Sequence, residues 1–167
     1  MEKNQSKEVF YYRVTDLWKR LCEEHNTLLD QTCEEYSLLL SSDVDALDIK
    51  TQEKVETIDR IKKLESLREQ AIKEIRKTYS DSQIKSISDV ISFFQEFENR
   101  NNALHLFRFN RFLIDIIEKI QAQNKKNQLF INKALANLKQ IRESAMGIKS
   151  YSTYDKKGGT KASPVNK

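Results

Sequence analysis

The chain has 167 residues, of which 38% are hydrophobic and 32% charged, with 29 basic and 25 acidic side chains and a net charge of +4. It is long enough for one domain with its own core, and it holds no run of about 18 apolar residues that would cross a bilayer. Between Met1 and Met146 there is neither glycine nor proline, and because sheets and hairpins draw on those residues for their turns, the body is expected to be almost wholly helical.

The N-terminal stretch MEKNQSKEVFYYR carries acids and lacks a signal-like apolar core, so a cytoplasmic chain is expected. The first helix is predicted from about Lys7 to Leu40. Phe10, Val14, Leu17, Leu21, Leu28, Tyr36 and Leu39 recur at helical spacing, His25 and Thr32 fill gaps in the stripe, and Trp18 flanks it. Ser41-Ser42-Asp43 breaks the pattern and supplies N-cap residues.

A second helix follows from about Asp43 to Tyr79, with Leu47, Val55, Ile58, Ile61, Ile72 and Ile75 as its stripe and a kink or new start near Thr51 as an option. After the polar break at Thr78–Ser82, Ser86-Ile87-Ser88-Asp89 reads as a capping box for a short third helix that ends near residues 98–102. Six of the eight phenylalanines fall between Phe93 and Phe112, too many for one narrow stripe. Either the short helix folds over the start of the next, or part of this surface receives a partner.

The fourth helix is the longest, from about Asn102 to Ile148. Alternating steps of three and four from Ala103 pass through Leu106, Asn110, Leu113, Ile117, Ile120, Asn124, Asn127, Ile131, Ala134, Leu138, Ile141, Ala145 and Ile148. The strict seven-residue period favours coiled-coil-like packing. Every exception in this seam is an asparagine. Asn124 and Asn127 either fix register or mark a loosely held junction beyond which the helix exchanges partners, since an unpaired buried amide costs roughly 1–3 kcal/mol. Both readings stay open at this level.

Residues 149–167 carry five lysines against one aspartate, which accounts for the whole charge excess. Their glycine, serine and lysine content predicts a disordered basic tail, so the division is a helical bundle over 1–148 and a flexible tail over 149–167. The basic excess lies in that tail and not on a folded face, which argues against nucleic-acid binding. The fold class expected is all-α: an elongated antiparallel bundle or coiled coil of three long helices and one short one.

No chemistry is apparent. His25 and His105 are the only histidines, and Cys22, His25 and Cys33 are too few and too spread for a zinc site. Cys22 and Cys33 lie about 16 Å apart along one helix, beyond disulfide reach, and are expected to be buried reduced thiols. No glycine-rich phosphate loop and no nucleophile with a His–Asp setting is present. Neither a cofactor, a metal nor an enzymatic activity is expected.

The stretch Leu38–Ile75, LLLSSDVDALDIKTQEKVETIDRIKKLESLREQAIKEI, resembles the FlgN family of flagellar export chaperones through Asp43, Ala46-Leu47, Thr51, Lys54, Leu64-Glu65 and Arg68. Asn124-x-x-Asn127-x-Leu129 with Leu135 and Leu138 is similar to the family's last helix, and Thr153-Tyr154-Asp155-Lys156-Lys157-Gly158 to its ending. The likeness spans roughly residues 10–158. The phenylalanine cluster and the GGTKASPVNK extension depart from it. The resemblance implies a cytosolic chaperone that holds the C-terminal amphipathic segments of the hook-associated (hook–filament junction) proteins, blocks their premature assembly and delivers them to the type III export gate. It places client binding at Asn124, Asn127, Ile131, Leu135, Leu138 and Ile141. It places docking on the gate's cytosolic domain at Tyr154, with Tyr151 second. The rival reading is a structural coiled-coil scaffold that oligomerises through its second and fourth helices.

Overall fold

Two helices, α1 (Glu2–Ser41) and α2 (Val44–Tyr79), form an antiparallel hairpin. The computed structural model describes residues 2–80, 83–147, 149–154 and 160–165, the last two segments as backbone only. Ion pairs fix the register of the hairpin: Arg13 to Glu74 at 2.5 Å, Arg60 to Glu24 at 3.0 Å, Lys54 to Glu35 at 2.5 Å and Lys50 to Glu34 at 2.6 Å. From Arg13–Glu74 through Glu24–Arg60 to the adjacent Glu34 and Glu35 with Lys50 and Lys54, the partner numbers fall along α2 as those on α1 rise, as antiparallel pairing requires. Lys50 also reaches Glu53 at 2.5 Å, and hydrogen bonds to Glu34 and Glu53 raise its pKa.

The turn is made without glycine. Ser42 takes the left-handed conformation at φ 57°. Its N–H reaches Leu39 O at 3.3 Å, and the Asp43 N–H reaches Leu38 O at 3.2 Å. This is the Schellman pattern, which satisfies two of the last carbonyls of α1. The Asp43 carboxylate then accepts from Ala46 N at 3.1 Å and caps α2. α2 runs unbroken through Thr51, whose hydroxyl turns back to Leu47 O at 2.9 Å.

The single short helix of the sequence reading is in fact two. α3 (Ile87–Phe93) and α4 (Gln95–Asn99) meet at Phe94, whose backbone leaves the helical region, and a 3-10 turn, Arg100–Asn102, follows. The capping box forms as the sequence predicts. The Asp89 carboxylate accepts from Lys85 N at 2.9 Å, Ser86 N at 2.7 Å and Ser86 Oγ at 2.8 Å, and Ser86 Oγ accepts from Asp89 N at 3.2 Å.

The backbone hydrogen bonds from Lys85 and Ser86 hold the Asp89 carboxyl below its ordinary range. A depressed folded value means that this stabilisation is complete above the unfolded value, near 4, and is lost as pH falls through the folded one. The difference in unfolding free energy between the native chain and Asp89→Asn is therefore expected to stay level above about pH 5. It should shrink as pH is lowered toward about 2, as followed by urea denaturation at each pH.

The longest helix, α5 (His105–Ala145), begins three residues later than the spacing predicts and ends three residues earlier. Leu104, immediately before it, sits at φ 47°, a costly conformation for a bulky side chain. Gly147 follows the end of α5 at φ 68°, a conformation glycine adopts freely. The chain divides into two compact units, Met1–Lys125 and Lys126–Lys167, so the boundary falls within α5.

The core of the first unit gathers Val14, Trp18 and Leu21 of α1, Leu64, Ala71 and Ile75 of α2, Val90, Phe94 and Phe97 of the corner, and Leu106 and Leu113 of α5. Two positions differ from the predicted stripe. Tyr11 is buried where Phe10 was expected, and Trp18 is inside, at 2% exposure, instead of flanking. The phenylalanine cluster divides between enclosed and exposed positions. Phe94 and Phe97 pack on Tyr11 at ring-centroid distances of 5.5 and 5.3 Å, while Phe107 and Phe112 stay about half exposed.

Toward the hairpin tip the apolar core gives way to polar side chains that satisfy themselves locally. His25 Nδ1 lies 2.7 Å from Leu21 O, Thr32 Oγ1 donates to Leu28 O at 2.6 Å, and Thr57 Oγ1 donates to Glu53 O at 3.1 Å. All three are buried, whereas Leu40, Val44, Ile49 and Val55 face solvent. Cys22 is buried and donates to Phe109 O at 3.3 Å, and burial pushes its thiol up to about 11. Cys33, expected inside, is exposed.

In the second unit the backbone of Lys149–Tyr154 (β1) pairs antiparallel with Thr160–Val165 (β2), in a register that sets Thr153 opposite Lys161. Composition alone predicts disorder here. The run of Ser, Thr and Tyr is compatible with strand geometry, although an isolated two-stranded ribbon is only marginally stable.

Candidate functional site

α5 changes character along its length. In its first half Leu106, Leu113, Ile116 and Ile120 are all less than 8% exposed. Beyond Asn127 the same helix bares its apolar residues: Leu135, Leu138 and Ile141 are 59%, 61% and 64% exposed. Ile131 and Ala134 are half-buried. Positions 131, 134, 135, 138, 141 and 145 lie on one face at helical spacing, about 21 Å from end to end at 1.5 Å per residue. An exposed apolar face of this kind is a candidate interaction surface.

The two seam asparagines part company. Leu106, Leu113, Ile120 and Asn127, seven residues apart, form the inward line of α5, and all are buried. Asn127 is 4% exposed and is bonded to a partner. Asn124 is exposed. The strict alternation of threes and fours that placed Asn124 inside assumes a supercoiled period of 3.5, whereas an α-helix turns every 3.6 residues and drifts about 20° per heptad. The half-buried neighbour on that side is Gln123, and the buried one two turns earlier is Ile116, in place of Ile117. The picture of two adjacent unpaired buried amides forming a weak junction is therefore corrected, because Asn124 is in water and Asn127 is not without a partner.

Of the six positions placed at the client site, Leu135, Leu138 and Ile141 stand together on the exposed face. Ile131 lies at its edge, and Asn127 is enclosed. Asn124 is exposed but lies upstream of the bare stripe. The side chains of Tyr151 and Tyr154, the positions expected to dock on the export gate, lie outside the described residues. Among the described residues no group of three or more His, Cys, Asp or Glu side chains is placed to hold a metal, and no helix is long and apolar enough to cross a membrane.

The residue that the sequence reading missed is Glu98. It is fully buried, and its carboxylate accepts from Tyr11 Oη at 2.8 Å, Leu106 N at 3.0 Å and Phe107 N at 3.1 Å. α5 has no capping side chain of its own before it, so a glutamate from α4 satisfies two of its first amides and meets the positive end of its dipole. Burial and the bond to Glu98 raise the Tyr11 pKa far above its ordinary value. No periodicity signals such a residue, because Glu98 stands in a polar run, Glu98-Asn99-Arg100-Asn101-Asn102, that reads as a loop.

A family model described as FlgN protein matches residues 11–162. The chain belongs to the FlgN family. It is therefore a flagellar chaperone of the FlgN type, a helical-bundle protein whose match runs through the whole of the bare stripe on α5 and into the tail. No curated protein and no solved structure matches this FlgN-family chain.

Proposed function

We propose that this FlgN-family protein is a cytoplasmic chaperone of the type III export route that binds the C-terminal amphipathic segments of the hook-associated junction proteins and delivers them to the export gate. The observation that carries the reading is the exposed Leu135, Leu138 and Ile141 face at the C-terminal end of a helix whose first half buries its own apolar line. A client helix laying its own apolar stripe along this face would cover both and withhold the client's assembly surface from premature contacts. Binding of this kind involves no covalent step, and the protein acts as a holder and not as a catalyst. The tail, with Tyr154 and secondarily Tyr151, serves the separate task of gate docking.

Calorimetry with synthetic C-terminal peptides of the junction proteins tests the reading. The full chain is expected to bind them one to one, and a chain ending at residue 150 is expected to keep that affinity while losing affinity for the cytosolic domain of the gate. A stable oligomer indifferent to every such peptide would overturn the chaperone assignment in favour of a scaffold. Loss of both affinities, or of neither, on removing the tail would overturn the division of labour.

A further inference from the structure

A cavity of about 420 Å³ lies between α2, the start of α3 and α5, inside the Met1–Lys125 unit and apart from the bare stripe. Four cations line it, Arg68, Lys73, Arg76 and Lys85, against one acid, Glu69. Trp18 and Asn110 line it too. Trp18 is 2% exposed, and its indole N–H is buried with no hydrogen-bond partner. A buried donor left without an acceptor is rare in a folded protein and calls for an explanation such as an absent ligand. Asn110, half-buried, adds a carboxamide to the lining.

The cations are only partly spoken for. Arg68 pairs with Glu65 and lies 5.1 Å from the Trp18 ring centroid, and Arg76 donates through Nε to Ile84 O. Lys73 and Lys85 form no ion pair among the described residues, although the Lys85 charge acts on the nearby Asp89 carboxylate. Arg68 and Arg76 are eight residues apart on one face of α2, about 12 Å along its axis. A row of positive charge of that length suits carboxylates spaced along a second polypeptide better than one compact anion. The chain's own tail is basic and does not complement it.

We propose that this cavity is a docking site for an acidic segment of a protein partner. One carboxylate accepts from the Trp18 N–H, and its neighbours along the segment meet the row from Arg68 through Lys73 to Arg76, with Lys85 beside it. The site does not depend on the client reading of α5.

Trp18 is the sole tryptophan of the chain, so its emission reports on the cavity directly. The full-length protein would be titrated at low ionic strength with a dye-labelled, alanine-based helical peptide bearing Glu at i, i+4 and i+8, with its Lys counterpart, and with citrate. Expected are a saturable change in Trp18 emission and in dye anisotropy with the Glu peptide alone, and binding at least tenfold weaker in Lys73→Glu/Lys85→Glu. Both lysines are exposed, so that variant should keep its far-UV circular dichroism. Trp18→Phe, which keeps a ring but removes the N–H, should weaken binding severalfold by anisotropy. No emission change with the Glu peptide, or equal binding by the charge-reversed variant, would overturn the proposal. Citrate binding as tightly as the peptide would overturn the polypeptide assignment.

Discussion

Glu98→Ala is expected to lower the unfolding free energy by about 3–5 kcal/mol. The substitution removes one acceptor group and strands three donors, the Tyr11 hydroxyl and the backbone N–H groups of Leu106 and Phe107. Each buried donor left unsatisfied costs roughly 1–3 kcal/mol, and the vacated space adds a cavity among Tyr11, Phe97 and Leu106. Solvent does not readily replace the carboxylate, because Glu98 is fully buried. For a protein of this size the loss corresponds to a fall in melting temperature of roughly 10 °C. Glu98→Gln keeps the shape and one acceptor oxygen and should cost about 1–2 kcal/mol. Calorimetric melting of the three proteins reads both effects, with hydrogen exchange at the Leu106 and Phe107 amides as the local check. A melting temperature within 2 °C of the native chain for Glu98→Ala would show that α5 is anchored by other means, since a loss of about 1 kcal/mol or less moves it by no more than a few degrees.

The second large effect is expected in binding and not in stability. Replacing Leu135, Leu138 and Ile141 together by lysine should weaken the affinity for a junction-protein C-terminal peptide by more than about 100-fold. Each side chain is roughly 60% exposed in the free protein. Covering that exposed part contributes on the order of 1–2 kcal/mol per residue, and 1.4 kcal/mol is a factor of ten in affinity. Because these residues bury little in the free chain, the triple variant should melt within a few degrees of the native protein. Calorimetric titration beside a thermal melt separates the two quantities. Retained affinity would place the client elsewhere, whereas a large loss of stability would show that the face is structural.

The order and number of the long helices were legible in the residues alone, because their signals are local. Asp43 and Ser86 are followed three residues on by the amides that they cap, and the absence of glycine and proline through Met146 leaves the helices little cause to break. The break at Phe94 was not legible, since a phenylalanine is no turn residue and tertiary packing on Tyr11 overrides its local preference. The candidate face was legible as a stripe through Ile131, Leu138 and Ile141. A stripe says only that one side of a helix is apolar, and the same pattern serves the buried Leu106–Ile120 half equally well.

What the sequence by itself determined is therefore the set of helices, their caps, the family likeness that the match over residues 11–162 establishes, and the location of the basic excess beyond residue 148. Only the tertiary structure decided which asparagine goes inside, that Glu98 caps α5 from another helix, that Trp18 borders a cationic cavity, and that the apolar face of α5 is covered before Asn127 and bare after it. The reason is common to all four. Helix formation depends on neighbours within four positions along the chain, whereas burial depends on which distant element arrives to cover a face, and a period of 3.5 or 3.6 residues does not encode that arrival.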